Sequence, residues 1–248
     1  METLEQLVSL AARMLLECGA ETYRVEETVE FIAKTLGMKE AQVLALPTGC
    51  LYTLIDGEGA SISRVVRVYD RSTDLSTIEK VNEISRGLVE GRFDAEEALK
   101  NMRAIREEKP QKQVVTVVAS ALAAGAFAVM FQGGVVECLA AIVCGGLTSL
   151  IQKPFGSGLL PGSFHLFLSG MISAVVARLT ALLYVDARLS AIIVGAIMPM
   201  LPGMLMTNAI RDTVGGDLIS GVARATEALI RSAAIAAGVG LALALLRG

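Results

Sequence analysis

The sequence predicts an α-helical membrane protein with five transmembrane helices and an N-terminal α+β domain in the cytoplasm. Charge is unevenly distributed, because 35 of the 47 Lys, Arg, Asp and Glu residues lie in the first 112 of 248 positions. Apolar residues make up 53% of the chain and mean hydropathy is +0.58, both high for a soluble domain. Beyond residue 112, apolar segments of about 20 residues recur, the length that crosses a bilayer core. A water-soluble part therefore precedes a membrane part.

The first domain, which we place at residues 1–110, has helical periodicity at both of its ends. Two amphipathic helices open it, with apolar residues at helical spacing, and end near Gly19 and Gly37. Two more helices close it. They begin at Asp74 and Asp94, a residue type that accepts hydrogen bonds from the first free N–H groups of a helix.

Between these helix pairs the apolar period changes to two. The runs 43–46, 51–55 and 62–68 alternate as half-buried strands do, and PTG and DGEG turns join them. The prediction is an antiparallel three-stranded meander, so the domain reads α-α-β-β-β-α-α. Pro110 is the predicted linker to the membrane part.

The transmembrane domain is placed at residues 111–248. Five apolar segments are its predicted spans: 113–131, 134–152, 163–184, 187–206 and 228–246. Their Ala, Gly and Ser content suits close helix packing. Basic residues near the span ends favour a cytoplasmic N-terminus, an external C-terminus and a multi-pass protein of the cytoplasmic (inner) membrane.

Net charge and cysteine spacing limit which partners and cofactors are expected. The formal net charge of −3 provides no basic face, so no nucleic-acid partner is expected. The four cysteines show no CxxC pairing and two lie in apolar runs, so we expect buried thiols, no metal site and no cofactor. The acidic start with helical spacing is unlike a cleaved signal.

One stretch, MPMLPGMLMTNAIRDTVGGDLISGVAR, breaks the fourth span. Pro199, Pro202 and Gly203 interrupt the helix at membrane depth. The polar residues that follow are the candidate substrate-binding set: Asn208, Arg211, Asp212, Asp217, Ser220 and Arg224. Unpaired backbone in a membrane needs protein or a water-filled cavity, and a substrate cavity would supply it. A solvated cytoplasmic loop explains the same charges, and spacing alone leaves both interpretations open.

In the cavity interpretation the charged side chains divide by chemistry. Arg211 or Arg224 would fork onto a carboxylate. Asp212 or Asp217 would accept an ammonium group or carry a coupling proton. An Arg with an Asp suits a zwitterion, whereas two arginines suit a dicarboxylate.

The chain resembles the threonine/serine exporter (ThrE) family over nearly its whole length. The resemblance rests on GAETYRVEETV at 19–29, LPTG at 46–49, P-x-x-P-G-x-x-x-x-N-x-x-R-D at 199–212 and GGD-x-x-SG-x-x-R at 215–224. It implies a cytoplasmic N-terminal domain and export of small amino acids or, in some two-chain forms, of dicarboxylates such as succinate. The five-span length resembles the larger subunit of the two-chain form, so a small membrane subunit is the expected partner, in an oligomer.

The motif GAETYRVEETV has two interpretations. Gly19 would end the first helix, and Glu21, Arg24 and Glu27 would form local ion pairs at the start of the next one. Alternatively these residues form a contact surface for the membrane part. We favour the first interpretation, since such ion pairs are common.

Two further residues are candidates for proton coupling or the cavity. His165, the one histidine in the chain, follows a Gly/Pro-rich loop and has a suitable titration range. Arg178 lies inside the third span and either snorkels to the interface or faces a cavity. A packed role is an open alternative for His165.

Three functions compete: an export subunit, a membrane-anchored hydrolase, and a sensor or scaffold. The N-terminal domain has no histidine to activate Cys50, and neither a P-loop nor a GxSxG elbow appears. No catalytic residues are therefore assigned. The broken span argues against a scaffold, and export is the favoured function.

Overall fold

The computed structural model describes residues 2–108, 112–155 and 163–246, so the predicted linker residue Pro110 lies outside the described residues. The described chain packs as two compact units. The first unit contains the described residues up to Glu108 together with Met204–Thr226, and the second contains the described residues 112–203 and those from Glu227 onward. By packing, residues 204–226 thus group with the N-terminal domain, whereas the sequence placed them in the transmembrane domain. The division of the chain by environment stays a prediction.

The first unit combines helices with one antiparallel sheet. Its elements are α1 (Glu2–Glu17), α2 (Thr22–Thr35), β1 (Glu40–Leu46), β2 (Gly49–Ile55), β3 (Ser61–Arg67), α3 (Leu75–Val89) and α4 (Ala95–Glu107). The strands pair in the order β1-β2-β3, with Leu44 opposite Leu51 and Leu51 opposite Val65. This sheet agrees with the meander that the alternating pattern predicted.

The helical pair α1 and α2 forms the centre of this unit's core. Leu7, Leu15, Val25 and Ile32 are fully buried, as their helical spacing predicts. Burying each such side chain contributes about 1.5–3 kcal/mol. Gly19 joins the two helices with φ +78°, a backbone conformation that costs glycine least.

The segment after the proline break also belongs to helices. Helix α9 runs Gly203–Gly215, and α10 runs Leu218–Leu245 after a turn at Gly216, whose φ is +97°. Helix α10 therefore begins ten residues before the predicted fifth span, because Leu218 onward continues the apolar periodicity through polar positions. Ser220 and Arg224 lie on this helix and are buried, so the solvated-loop interpretation does not describe them.

The second unit contains the other apolar helices. They are α5 (Gln113–Met130), α6 (Val135–Phe155), α7 (Phe164–Leu183), α8 (Leu189–Ile197) and the later part of α10, with a 3₁₀ turn at Met198–Met200. Among the described residues, α5, α7 and α10 are each long and apolar enough to cross a membrane. The stretches Leu189–Met200 and Gly203–Gly215 meet this test together, as one bent pair. The apolar part of α6, Val135–Ile151, is shorter. The number of five spans stays a prediction.

A buried carboxylate ties two helix starts together in the second unit. Glu137 accepts hydrogen bonds from the N–H of Gly134 at 2.8 Å and from the N–H of Arg188 at 2.9 Å. Free N–H groups at helix starts favour a negative charge, so this acid has a structural role in joining α6 to α8.

Small residues set the spacing of α7 and α10. A Cβ added to Gly238 would lie 2.0 Å from the carbonyl oxygen of Phe167, and one added to Gly170 would lie 2.4 Å from the carbonyl oxygen of Ile235. The two backbones therefore approach more closely than any larger residue allows.

We predict opposite effects of alanine at two neighbouring glycines of α10. Gly238→Ala forces the helices apart and should lower stability by about 1–3 kcal/mol, the usual range for overpacking. Gly240→Ala, whose Cβ meets open space, should raise stability by up to about 1 kcal/mol through helix propensity. Thermal unfolding of the detergent-solubilised chain, followed by circular dichroism, measures both. Equal effects of the two substitutions would contradict the packing argument.

Candidate functional site

The turn between α1 and α2 is bound by polar side chains of α9. Asn208 donates from Nδ2 to the carbonyl of Gly19 at 2.9 Å, and the N–H of Thr22 donates to Oδ1 of Asp212 at 3.2 Å. Asn208 and Asp212 are one helical turn apart and both are buried, so one face of α9 satisfies two backbone groups of the turn. Thr22 is the first residue of α2, where a free N–H group favours a carboxylate.

A buried ion pair completes these contacts. Nε of Arg224 lies 2.8 Å from Oδ2 of Asp212, and the two side chains are 5% and 0% exposed. Arg224 also donates from Nη2 to the carbonyl of Ala20 at 2.7 Å. Each charge therefore has an opposite charge and a backbone partner, which is the condition for burying an ion pair.

Glu21 links the same turn to a second arginine. Its carboxylate accepts a hydrogen bond from Nε of Arg24 at 2.9 Å and another from Arg211, while Arg211 keeps 55% of its side chain exposed. Burial by itself would raise the pKa of Glu21, but the hydrogen bonds from Arg24, its own backbone and Arg211 outweigh it and hold the pKa below its ordinary value. Glu27 is exposed on the other side of α2. The motif thus makes a local ion pair, between Glu21 and Arg24, and a contact to α9, between Glu21 and Arg211. A contact surface for the membrane part stays a prediction.

We call this arrangement the turn junction, formed by Gly19, Ala20, Glu21, Thr22, Arg24, Asn208, Arg211, Asp212 and Arg224. It joins parts of the chain about 190 residues apart, for example Glu21 and Arg211. Within the described residues, Oδ1 of Asn208 and Oγ1 of Thr22 are buried without a hydrogen-bond partner. The turn junction therefore retains unused polar atoms beside the ion pair.

Glu26 is a neighbour of the turn junction that sequence reasoning missed. Its Oε1 accepts a hydrogen bond from the N–H of Ala45 at 2.8 Å. Burial raises the pKa of Glu26, and the negative charges of Asp217, Glu30 and Asp212 raise it further. Its position four residues after Thr22, on the same helical face, was the available signal.

The remaining candidate residues lie in different surroundings. Ser220 is buried, Asp217 is half-buried, and Pro199 and Gly203 at the break are exposed, with Pro202 half-buried. His165 and Arg178 are half-buried on α7 and belong to the second unit, so they are not part of the turn junction.

Cysteine and metal chemistry find little support in the described part of the chain. No group of three or more His, Cys, Asp or Glu side chains there is placed to hold a metal ion. Burial raises the pKa of the Cys50 thiol to about 12, so it stays protonated and weakly nucleophilic.

The fold and the turn junction together define a helical membrane protein whose α+β domain is bound to a helix from a broken apolar segment. Comparison identifies the particular family: residues 6–246 match the ThrE model, described as "Putative threonine/serine exporter". The chain belongs to this family. The family description points to a transporter and not to an enzyme.

Similar proteins occur in bacteria and in yeast. The chain is 26% identical to a "Threonine/serine exporter" of Corynebacterium glutamicum over 96% of its own length and 51% of that protein. It is 23% identical to a "Probable threonine/serine exporter" of Mycobacterium tuberculosis, over 94% of its length and 44% of that protein. An uncharacterized protein of Schizosaccharomyces pombe is 26% identical, over 94% of the chain and 32% of that protein. The chain thus spans about half or less of these relatives, and no solved structure matches it.

We predict opposite pH dependences at Glu21 and Glu26. The lowered pKa of Glu21 stabilises the fold above the ordinary carboxyl range, and this contribution is lost as the pH falls through the lowered pKa. Glu21→Gln should therefore be less stable than the unsubstituted chain near neutral pH, with a difference that shrinks in acid. The raised pKa of Glu26 has the reverse sign, so Glu26→Gln should be the more stable form near neutral pH, again with a shrinking difference in acid.

Thermal midpoints between neutral and acidic pH measure these differences. Gln keeps a side-chain oxygen able to accept the hydrogen bond from Ala45, so Glu26→Gln removes mainly charge. A loss of stability of the same size in both variants near neutral pH would contradict the electrostatic assignment.

Proposed function

We propose that the chain is part of a secondary transporter that exports small zwitterionic amino acids, threonine or serine, across the cytoplasmic membrane. Membership of the ThrE family over residues 6–246 supports the transporter class, and the names of two bacterial relatives support the substrate. The observation in the structure that carries the proposal is the turn junction, because it binds the polar segment after the proline break to the N-terminal domain.

The charge balance around the turn junction favours a zwitterion over a dicarboxylate. The charged side chains of the turn junction and its two acidic neighbours are Arg24, Arg211, Arg224, Glu21, Glu26, Asp212 and Asp217. Three positive charges thus face four negative ones, without a positive excess. A dianion such as succinate would add two negative charges to this set, whereas an amino acid adds no net charge. Dicarboxylate export is therefore the second candidate.

The burial of individual residues distinguishes those that support the site from those that bind the substrate. Asp212 and Arg224 are buried and paired. With the buried Asn208 and Ser220, they hold α9 and the start of α10 in place beside the substrate route. Arg211 is exposed and Asp217 half-buried, so a substrate reaches these two first. In this proposal Arg211 binds the carboxylate and Asp217 the ammonium group. His165 and Arg178, on α7, contribute proton coupling or line the cavity.

A second membrane block completes the route in this proposal. The bacterial relatives named as exporters are about twice as long as the part that this chain matches. The additional block is supplied either by further sequence in the same polypeptide or by a separate small membrane subunit. Helices from two such blocks would enclose the substrate route through the bilayer, in an oligomer that packs through small residues.

Transport assays test the substrate residues. Threonine efflux from proteoliposomes that hold the chain with its second block should fall at least about tenfold in Arg211→Ala and Asp217→Asn, since each loses a charge-assisted contact worth about 1.5–3 kcal/mol. Glu27→Gln, on the exposed side of α2, is the matched control and should export normally.

Each result of this assay has a distinct meaning. Normal efflux by both variants would reject the substrate residues. Efflux of succinate but not threonine by the unsubstituted protein would reject the substrate class. Vesicles with the chain alone should export poorly, and full activity there would reject the need for a second block.

Labelling of single cysteines in intact cells tests the topology. With Cys138→Ser as background, since the other three cysteines are buried, Ser72→Cys should be protected from an impermeant thiol reagent. Asp186→Cys, in the exposed loop between α7 and α8, should react. The reverse pattern would place the N-terminal domain outside the cell.

A further inference from the structure

A cleft of about 400 Å³ lies between α1 and α4, away from the turn junction. Three arginines line it: Arg13 from α1, and Arg103 and Arg106 from α4. Leu10 and Leu99 contribute its apolar wall. A volume of this size falls at the lower end of the range for small-molecule sites.

Within this cleft the arginines outnumber the acids. Among the described residues, neither Arg13 nor Arg106 forms an ion pair, and Arg103 donates to the neutral Oε1 of Gln6 at 2.6 Å. Glu5, the one acid among the described residues that line the cleft, is paired with Arg64. With three arginines and one acid among its described lining residues, the cleft therefore carries a net positive charge.

This concentration of positive charge contrasts with the rest of the domain. The first 112 residues contain 15 basic and 20 acidic groups. An adjoining cleft on α4 shows the ordinary balance, since Lys100 and Arg103 there face Glu96 and Glu107. The excess is thus specific to the cleft that Arg13 completes.

We propose that this cleft binds a phosphate group, carried either by a soluble compound or by a lipid headgroup. Like charges held close together repel, and a compact anion with two or more charges relieves that repulsion. A guanidinium group can donate two parallel hydrogen bonds to phosphate oxygens, and three such groups can bind one phosphate. The proposal does not depend on the transport function, because it rests on the α1–α4 cleft alone.

The position of the cleft gives its occupant a route to the turn junction. Arg13 lies on α1, the helix that ends at Glu17, two residues before Gly19. A bound phosphate would join α1 to α4 and add support to the helix on which the turn is built.

Isothermal titration with pyrophosphate tests the site on the full chain in phosphatidylcholine nanodiscs. Binding should weaken about tenfold in each of Arg13→Gln, Arg103→Gln and Arg106→Gln, the effect of one charged hydrogen bond. Arg86→Gln is the matched control, since Arg86 is exposed on α3 and the change in charge is the same. Absence of pyrophosphate binding, or an equal loss in Arg86→Gln, would overturn the proposal.

Nanodiscs that contain phosphatidylglycerol separate the two sources of phosphate. If the lipid headgroup fills the cleft, pyrophosphate affinity falls about tenfold or more in these discs, and the lipid difference disappears in Arg103→Gln. If the ligand is soluble, affinity is the same in both lipids. Both outcomes support a phosphate site, whereas tighter binding of succinate than of pyrophosphate, lost in the same three variants, would overturn the assignment of phosphate.

Discussion

The buried ion pair between Asp212 and Arg224 is the interaction on which the first unit depends. It spans the turn at Gly216 and so determines how α10 leaves α9. Both partners also bind backbone groups of the α1–α2 turn. Removing one partner would leave a buried charge, at a cost of about 3–5 kcal/mol. The pair therefore holds a segment near the end of the chain against the domain formed by its beginning.

The chemistry of this attachment differs from that of the domain core. Inside the domain, α1 and α2 pack through fully buried apolar side chains, whereas α9 meets the turn through Asn208 and Asp212. The outer face of α9 is apolar instead, with Ile210 and Val214 exposed. Polar contacts have stricter geometry than apolar ones, so they specify one position and orientation of α9 against the turn.

Glu21, directly before α2, and Glu26, within it, have different electrostatic surroundings although they are only five residues apart. Glu21 accepts hydrogen bonds from two arginines, which stabilise its charged form. Burial, together with the negative charges of Asp217 and Asp212, favours the neutral form of Glu26 and outweighs the hydrogen bond from the N–H of Ala45. One motif thus supplies a permanent anchor and a carboxyl group sensitive to acid.

The sequence by itself determined the local features, because these depend on neighbours within a few residues. Asp74 and Asp94 accept hydrogen bonds from the N–H groups of Thr77 and Glu97, as residues at helix starts do. Alternating apolar residues predicted the sheet, and the length of the apolar segments predicted helices able to cross a membrane. Helix α10 begins ten residues before the predicted fifth span, and its first turns bury the polar residues Ser220 and Arg224.

Only the tertiary structure decided which charges meet. The sequence grouped Asn208, Arg211, Asp212 and Arg224 because they are close along the chain, and it treated Glu21 separately. Their contacts join residues about 190 positions apart, for example Glu21 with Arg211. Such pairing depends on how the chain closes on itself, and side-chain periodicity carries no information about that closure.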